Sequence, residues 1–171
     1  MKTIQIRPAA PLPVEQIHHK ETPPSLADVE AVAAQYDRVI VPVAGDCLEG
    51  VSVMDGGFVL IDFTRLPAPP RFKSKGGDGS SDLCLCYAAG TLMLKEYLGV
   101  WGPWQMVGTR YKSRGDGDKL RLNGAIRADK ILGVVTTSWA PDGTLLWERD
   151  PETFPTELPA APTIHGEVSP V

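Results

Sequence analysis

The sequence predicts a mainly β domain with antiparallel strands, and three observations carry that expectation. First, the 171 residues include 17 Gly and 16 Pro. Helix interiors do not tolerate such a load, because Pro removes a backbone donor and Gly loses too much chain entropy. Second, the apolar residues fall in short runs separated by turn formers, which is how strands read. Third, 43% of residues are hydrophobic and 22% charged, enough for a buried core and too apolar for wholesale disorder. The length suits one domain with tails, not two.

The elements follow in order. Residues 1–24 hold Pro8, Pro11, Pro13, Pro23 and Pro24 and lack sustained periodicity, so they are expected to form an extended N-terminal arm. Ser25 is a suitable N-cap, with Asp28 three positions on as the partner acid of a capping box. Leu26, Val29, Ala33 and Tyr36 then recur at helical spacing, which predicts one short amphipathic helix of about three turns. Strand signals begin at Val39-Ile40-Val41, a run ended by Pro42. Phe58–Ile61 follows the turn Met54-Asp55-Gly56-Gly57. Leu83–Tyr87 and Leu92–Leu94 flank Ala88-Ala89-Gly90-Thr91 and read as a hairpin. Gln105–Val107, Ile131–Thr137 and Leu145–Trp147 are the later strands, the last two joined by the turn Pro141-Asp142-Gly143. Arg71–Asp82 (RFKSKGGDGSSD) is polar and Gly/Ser-rich and is expected to be a mobile loop. Residues 151–171 carry five more prolines and are expected to form a C-terminal tail. The folded body is therefore placed at residues 25–150.

Composition also excludes function classes. The net charge of −4 offers no electrostatic footprint for nucleic acid. No apolar run approaches the roughly 18 residues of a membrane span, and no signal-peptide h-region opens the chain. Three Cys cannot all pair within the chain. A soluble, cytoplasmic protein without cofactor is the expectation. Cys84 and Cys86 form C-x-C on one strand and so share a face. A metal would need two more ligands, but His18, His19 and His165 all lie in the arms, so core packing is the expected role. Asp116-Gly117-Asp118 reads as a turn, since the rest of a calcium loop is absent. Trp101 and Trp104 flank Gly102-Pro103. Packing at a loop is the favoured reading for them, and a contact surface for a peptide or second subunit is the other.

One ordered set of segments carries a resemblance. Residues 43–62, VAGDCLEGVSVMDGGFVLID, resemble the nucleophile segment of the LexA/UmuD-type self-cleaving serine peptidases, in which a Gly-Asp-Ser-Met turn precedes a second turn and an apolar strand. The match runs through Val43, Gly45, Asp46, Met54, Asp55, Gly56 and Phe58–Ile61. Gly90–Lys95 resembles the strand bearing that family's catalytic lysine, and Ile131–Val135 its closing strand. The resemblance implies a LexA C-terminal-domain-like antiparallel β fold. By position it makes Cys47 the nucleophile and Lys95 its general base. Gly45, Asp46 and Leu48 become the oxyanion turn, with the Cys47 backbone N–H as a donor. Dimeric family members imply a homodimer or a protein partner. Members of the soluble branch that bind DNA do so through a separate helix-turn-helix domain, and the residues before the motif hold only one short helix and an arm. Direct nucleic-acid binding is therefore not expected.

The departures from the family pattern shape the functional expectation. Cys47 stands where the family has Ser, and Leu48 where it has Met. A thiol ionises more readily than a hydroxyl, but beside an amine it favours a thiolate–ammonium pair, in which the lysine is no longer a base. Self-cleavage also needs a small-residue–Gly pair upstream of the nucleophile, and the only Ala-Gly there, Ala44-Gly45, lies inside the motif. The leading expectation is a degenerate peptidase-like domain acting in self-association or protein binding, with a regulatory role open. Two alternatives stand beside it: an active self- or trans-cleaving peptidase with a Cys47/Lys95 dyad, and a β-barrel adaptor unrelated to peptidases.

Overall fold

A computed structural model describes residues 25–43, 52–71, 76–77, 79–112 and 120–159. The described residues are mainly β, with one α-helix among them. Helix α1 spans Leu26–Gln35 and starts at the predicted capping box. The Ser25 hydroxyl accepts from Asp28 N at 3.1 Å, and the Asp28 carboxylate accepts from Ser25 N at 3.1 Å. Its buried side chains are Val29 and Val32, so Val32 takes the inward place that the spacing argument gave to Ala33.

Among the described residues eight antiparallel strands follow: β1 (Arg38–Pro42), β2 (Phe58–Asp62), β3 (Leu83–Ala88), β4 (Thr91–Trp101), β5 (Trp104–Lys112), β6 (Leu120–Arg127), β7 (Lys130–Trp139) and β8 (Leu145–Glu148). They form one sheet in the order β1-β2-β7-β3-β4-β5-β6, with β8 also paired to β7. Among the described residues that path has two ends, β1 and β6, so the sheet is open. Pro42 sits on the end strand β1, where its missing N–H breaks no ladder bond. The β3–β4 turn is tight because Ala89 and Gly90 both adopt positive φ, 50° and 76°, the pair of values a two-residue type I′ hairpin requires. No helix among the described residues is long and apolar enough to cross a membrane.

Strand alternation sends the core to both faces of this sheet. One cluster joins Val29 and Val32 of α1 to Val39, Val41, Val59, Ile61, Leu83, Leu85 and Val135, together with Val43 and Val53. The other face gathers Cys84, Cys86, Tyr97, Val107, Ala128 and Ile131. Among the described residues no helix covers that second face. Instead Leu66 and Leu158, from the segments around residues 65 and 158, pack onto it.

Those covering segments are tied down by buried charge. Asp82 is almost fully buried. Its Oδ2 accepts from Ala68 N at 2.7 Å, and its Oδ1 accepts from Arg149 Nη1 at 2.7 Å and Arg71 Nη2 at 3.1 Å. Arg149 also donates to Thr153 Oγ1 at 2.7 Å, and its guanidinium lies 3.9 Å from the centroid of the Phe154 ring. Pro151–Thr153 form a 3-10 turn, and Phe154 beyond it is 2% exposed. Arg65 Nη1 donates to Phe154 O at 3.0 Å. The first part of the expected tail therefore packs against the body. The Arg71–Asp82 segment likewise departs from a freely mobile loop at both of its ends. Arg71 N donates to Ser80 O at 2.9 Å, and Ser81 Oγ donates to the buried Glu96 Oε1 at 2.5 Å.

Candidate functional site

Of the residues to which the resemblance assigns chemistry, Gly45, Asp46, Cys47 and Leu48 lie outside the described residues, as do His18, His19, His165 and Asp116–Asp118. The residues bounding the 44–51 segment are described. Val43 N donates to Gly57 O and Gly56 N to Val43 O, each at 2.9 Å. Ser138 Oγ donates to Ser52 O at 2.7 Å. Val43 and Ser52 are thus fixed beside the Gly56–Gly57 corner and the C-terminal half of β7. Gly57 is required there, because a Cβ would lie 2.3 Å from Trp139 O.

Lys95 lies in the middle of β4, a strand paired on both sides, opposite Cys84 of β3. Directly opposed residues share a face, so Lys95 stands on the face of Cys84, Cys86 and Tyr97. Val43 and Val53 belong to the cluster on the other face. Lys95 is half-buried, and its Nζ donates to Thr109 Oγ1 of β5 at 2.8 Å. Cys84 is also aligned with Val134 of β7. Ser138 is four residues further along β7, so strand rise and spacing put its Cα about 16 Å from that of Lys95 across the sheet.

Nearest to Lys95 by register are Cys84 and its neighbour Cys86, both free and fully buried. Their thiols donate to the Lys95 and Met93 carbonyls, each at 3.5 Å. A hydrogen bond with Cys86, then burial, then the nearby charges of Cys86 and Asp82 push the Cys84 thiol well above its usual value. A thiol held protonated and away from solvent is a packing group, not a nucleophile. Core packing is what the C-x-C pattern predicted. Two residues beyond Lys95 on β4, the buried Tyr97 hydroxyl donates to Gln105 Oε1, and burial, reinforced by Cys84, pushes its pKa up to about 12. Gln105 Nε2 in turn donates to Pro159 O at 3.2 Å.

The tryptophans depart from the favoured packing reading. Trp101 and Trp104 are 43% and 49% exposed and face each other across the β4–β5 turn. Gly102 has φ +62° and Pro103 follows, the combination of a tight type II′ turn. Arg127 lies 5.9 Å above the Trp104 ring. Thr109 and Gln105, which engage Lys95 and Tyr97, carried no sequence signal. Each is an ordinary polar residue whose role depends on which strand becomes its neighbour.

Among the described residues no group of three or more His, Cys, Asp or Glu could hold a metal ion. No known protein family, curated protein or solved structure matches this chain.

Proposed function

We propose that this chain is a protein-binding domain, a peptidase-like β unit whose nucleophile turn no longer serves proteolysis and whose work is association with a partner or a second copy. The single observation that carries this reading is the engagement of Lys95. Its amine donates to Thr109, and by register it shares a face with the core thiols Cys84 and Cys86. Val43 and Val53, which bracket the Cys47 segment in sequence, pack on the other face. A general base must come within hydrogen-bond or one-water reach of its nucleophile. A lysine held by a neighbouring hydroxyl on a packed strand is accounted for by the fold alone. The exposed Trp pair adds to this reading, because large aromatic side chains left in solvent at a rigid turn are typical anchors of protein contacts.

The test is the pH dependence of Cys47 alkylation, read peptide by peptide by mass spectrometry, in the wild-type chain and in Lys95→Ala. Cys84 and Cys86 need not be removed, since their burial keeps them from the reagent. The expected result is the same Cys47 profile in both proteins and an intact full-length mass after prolonged incubation. A depressed Cys47 pKa that rises on loss of Lys95 would establish the Cys47/Lys95 dyad instead, and with it the peptidase.

A further inference from the structure

Core packing accounts for the burial of Cys84 and Cys86, but not for the side chains placed opposite them. Along β3 the two cysteines point to the same face, with Cα atoms about 7 Å apart. Across the ladder Cys86 is aligned with Met93 and Cys84 with Lys95, so directly opposed Cβ atoms lie about 5 Å apart. Met93 packs against the cluster that holds both thiols. Its thioether, on a flexible unbranched chain, can therefore reach the diagonal neighbour Cys84 as well as Cys86. The two thiol sulfurs are themselves within hydrogen-bonding reach of each other. Soft thiolate and thioether ligands select Cu(I). That cation is stable at low coordination numbers and does not need the further ligands that zinc demands. The acid beside them along the chain, Asp82, is already engaged by Ala68 N, Arg71 and Arg149, so the donor set is sulfur alone.

Lys95 supplies a second, independent observation. Its ammonium is half-buried, and its bond is to the neutral Thr109 hydroxyl. Among the described residues it has no carboxylate partner. The hydroxyl satisfies one donor and leaves the charge unmatched, and a partly buried cation is stabilised by an anion on its own face. A Cu(I) dithiolate is such an anion. Met93 and Lys95 are partly exposed while both thiols are sealed, so the thioether and the ammonium lie on the side from which a cation enters.

We propose that Cys84, Cys86 and Met93 form a Cu(I) site, with Lys95 as the counter-ion of the bound dithiolate. Each S–H bond is exchanged for a Cu–S bond. One Cu(I) enters, two protons leave, and no electron is transferred, so the site gains one negative charge. The flexible stem of Lys95 lets its ammonium turn from Thr109 toward that charge. The thiols give up their bonds to the Lys95 and Met93 carbonyls, a small loss because S–H is a weak donor. This inference goes beyond the association role proposed above and depends on neither Cys47 nor the Trp101–Trp104 tip.

The experiment is an anaerobic Cu(I) titration in which the full chain competes with the coloured Cu(I) chelator bicinchoninate, with Zn(II) present throughout. The expected result is transfer of one Cu(I) per chain, equally to the wild type and to Cys47→Ser. The urea midpoint should rise on loading, because the cation binds the folded state. Met93→Leu conserves volume and leaves both thiols in place. It should bind at least about tenfold more weakly, the loss that even an outer-shell partner can cause. Lys95→Gln, which removes the counter-ion, should also weaken binding, by roughly tenfold. No transfer to the wild type, transfer lost in Cys47→Ser, or transfer suppressed by Zn(II) would each overturn the site. Unchanged affinity in Met93→Leu would overturn it as well, and unchanged affinity in Lys95→Gln would overturn the counter-ion. A urea midpoint that falls on loading would overturn the proposal too, since the copper would then be held by thiols of the unfolded chain.

Discussion

The junction around Asp82 and the tip around Trp101 and Trp104 invert the usual partition of side chains. One buries a carboxylate and the other exposes two indoles. At the junction each apparent cost is matched. Asp82 receives two guanidinium donors and a backbone amide, and Phe154 covers the aliphatic and cationic surface of Arg149. Its bonds join residues 68, 71, 82, 149 and 153, which are remote in sequence, so the buried charge fixes how the two covering segments lie on the second face of the sheet. At the tip the Trp101 indole N–H donates to Leu98 O at 3.1 Å and Arg127 lies 5.9 Å from the Trp104 ring centroid, while close to half of each side chain stays in solvent. A buried charge with complete partners is an architectural device. An exposed aromatic pair at a turn leaves apolar surface open to contact.

Breaking the junction should therefore produce the largest effect. Asp82→Ala leaves Arg71 and Arg149 facing each other without their shared anion. Removing one partner of a buried ion pair costs about 3–5 kcal/mol. Both arginines keep partial access to solvent, so the lower end, about 3 kcal/mol, is expected. Equilibrium denaturation in urea reads this loss. Asp82→Asn, which preserves an acceptor for Ala68 N, should lose less. If Asp82→Ala unfolds within about 0.5 kcal/mol of wild type, within the range of ordinary surface substitutions, the junction is not what holds the covering segments.

The two regions were unequally legible in the sequence. Local signals identified every element whose cause is local: the Ser25–Asp28 capping box, the Gly56–Gly57 corner and the Ala89-Gly90 hairpin. Strand β6 was missed, and β4 and β5 run well beyond their apolar cores, because Thr109, Arg121 and Asn123 join strands through pairing rather than through their own pattern. Loop residues 71–82 look solvated by composition, yet Asp82 and Ser81 are drawn inward by Arg149 and Glu96, partners 67 and 15 residues away. No window of sequence contains that information. The tryptophans are a different case. Their turn was readable from Gly102-Pro103, but their exposure depends on where β3 and β6 stop pairing. For the candidate site, Lys95 was correctly read as a strand residue. Its hydroxyl partner on β5 could be found only once the strand order was known.

An intermediate effect is expected at alkaline pH, where the second face should weaken before the first. The Tyr97 hydroxyl and the Cys84 thiol are acids whose folded values are raised. For such a group the unfolded chain releases its proton first, so the native state binds more protons and stability falls as pH rises. The contribution is fully present below the unfolded values. It begins to be lost near the ordinary thiol value of 9.0 and continues through the ordinary phenol value of 10.0 to about 12. Denaturation midpoints measured over that window should fall with pH. A phenolate titration should show one tyrosine ionising last, near 12, and Tyr97→Phe should abolish that step. If all the tyrosines titrate together near 10, Tyr97 is not sealed under Leu66 and Leu158.

The smallest effect on stability should come from the most conspicuous residues. Trp101 and Trp104 form a cross-strand pair at a turn, an interaction worth at most about 1 kcal/mol over small side chains, and neither ring belongs to either core cluster. The double substitution Trp101→Ser and Trp104→Ser should therefore leave the urea midpoint close to wild type, with a loss below about 1 kcal/mol. The type II′ turn does not depend on the rings, because Gly102 and Pro103 carry its backbone requirement. If association with a partner or a second copy uses this tip, it should be lost in the same variant, as read by sedimentation or pull-down against the wild-type chain. A large loss of stability instead would mean that the rings are structural, and the contrast with Asp82 would disappear. Near-normal stability with association removed would identify the tip as surface retained for binding rather than for folding.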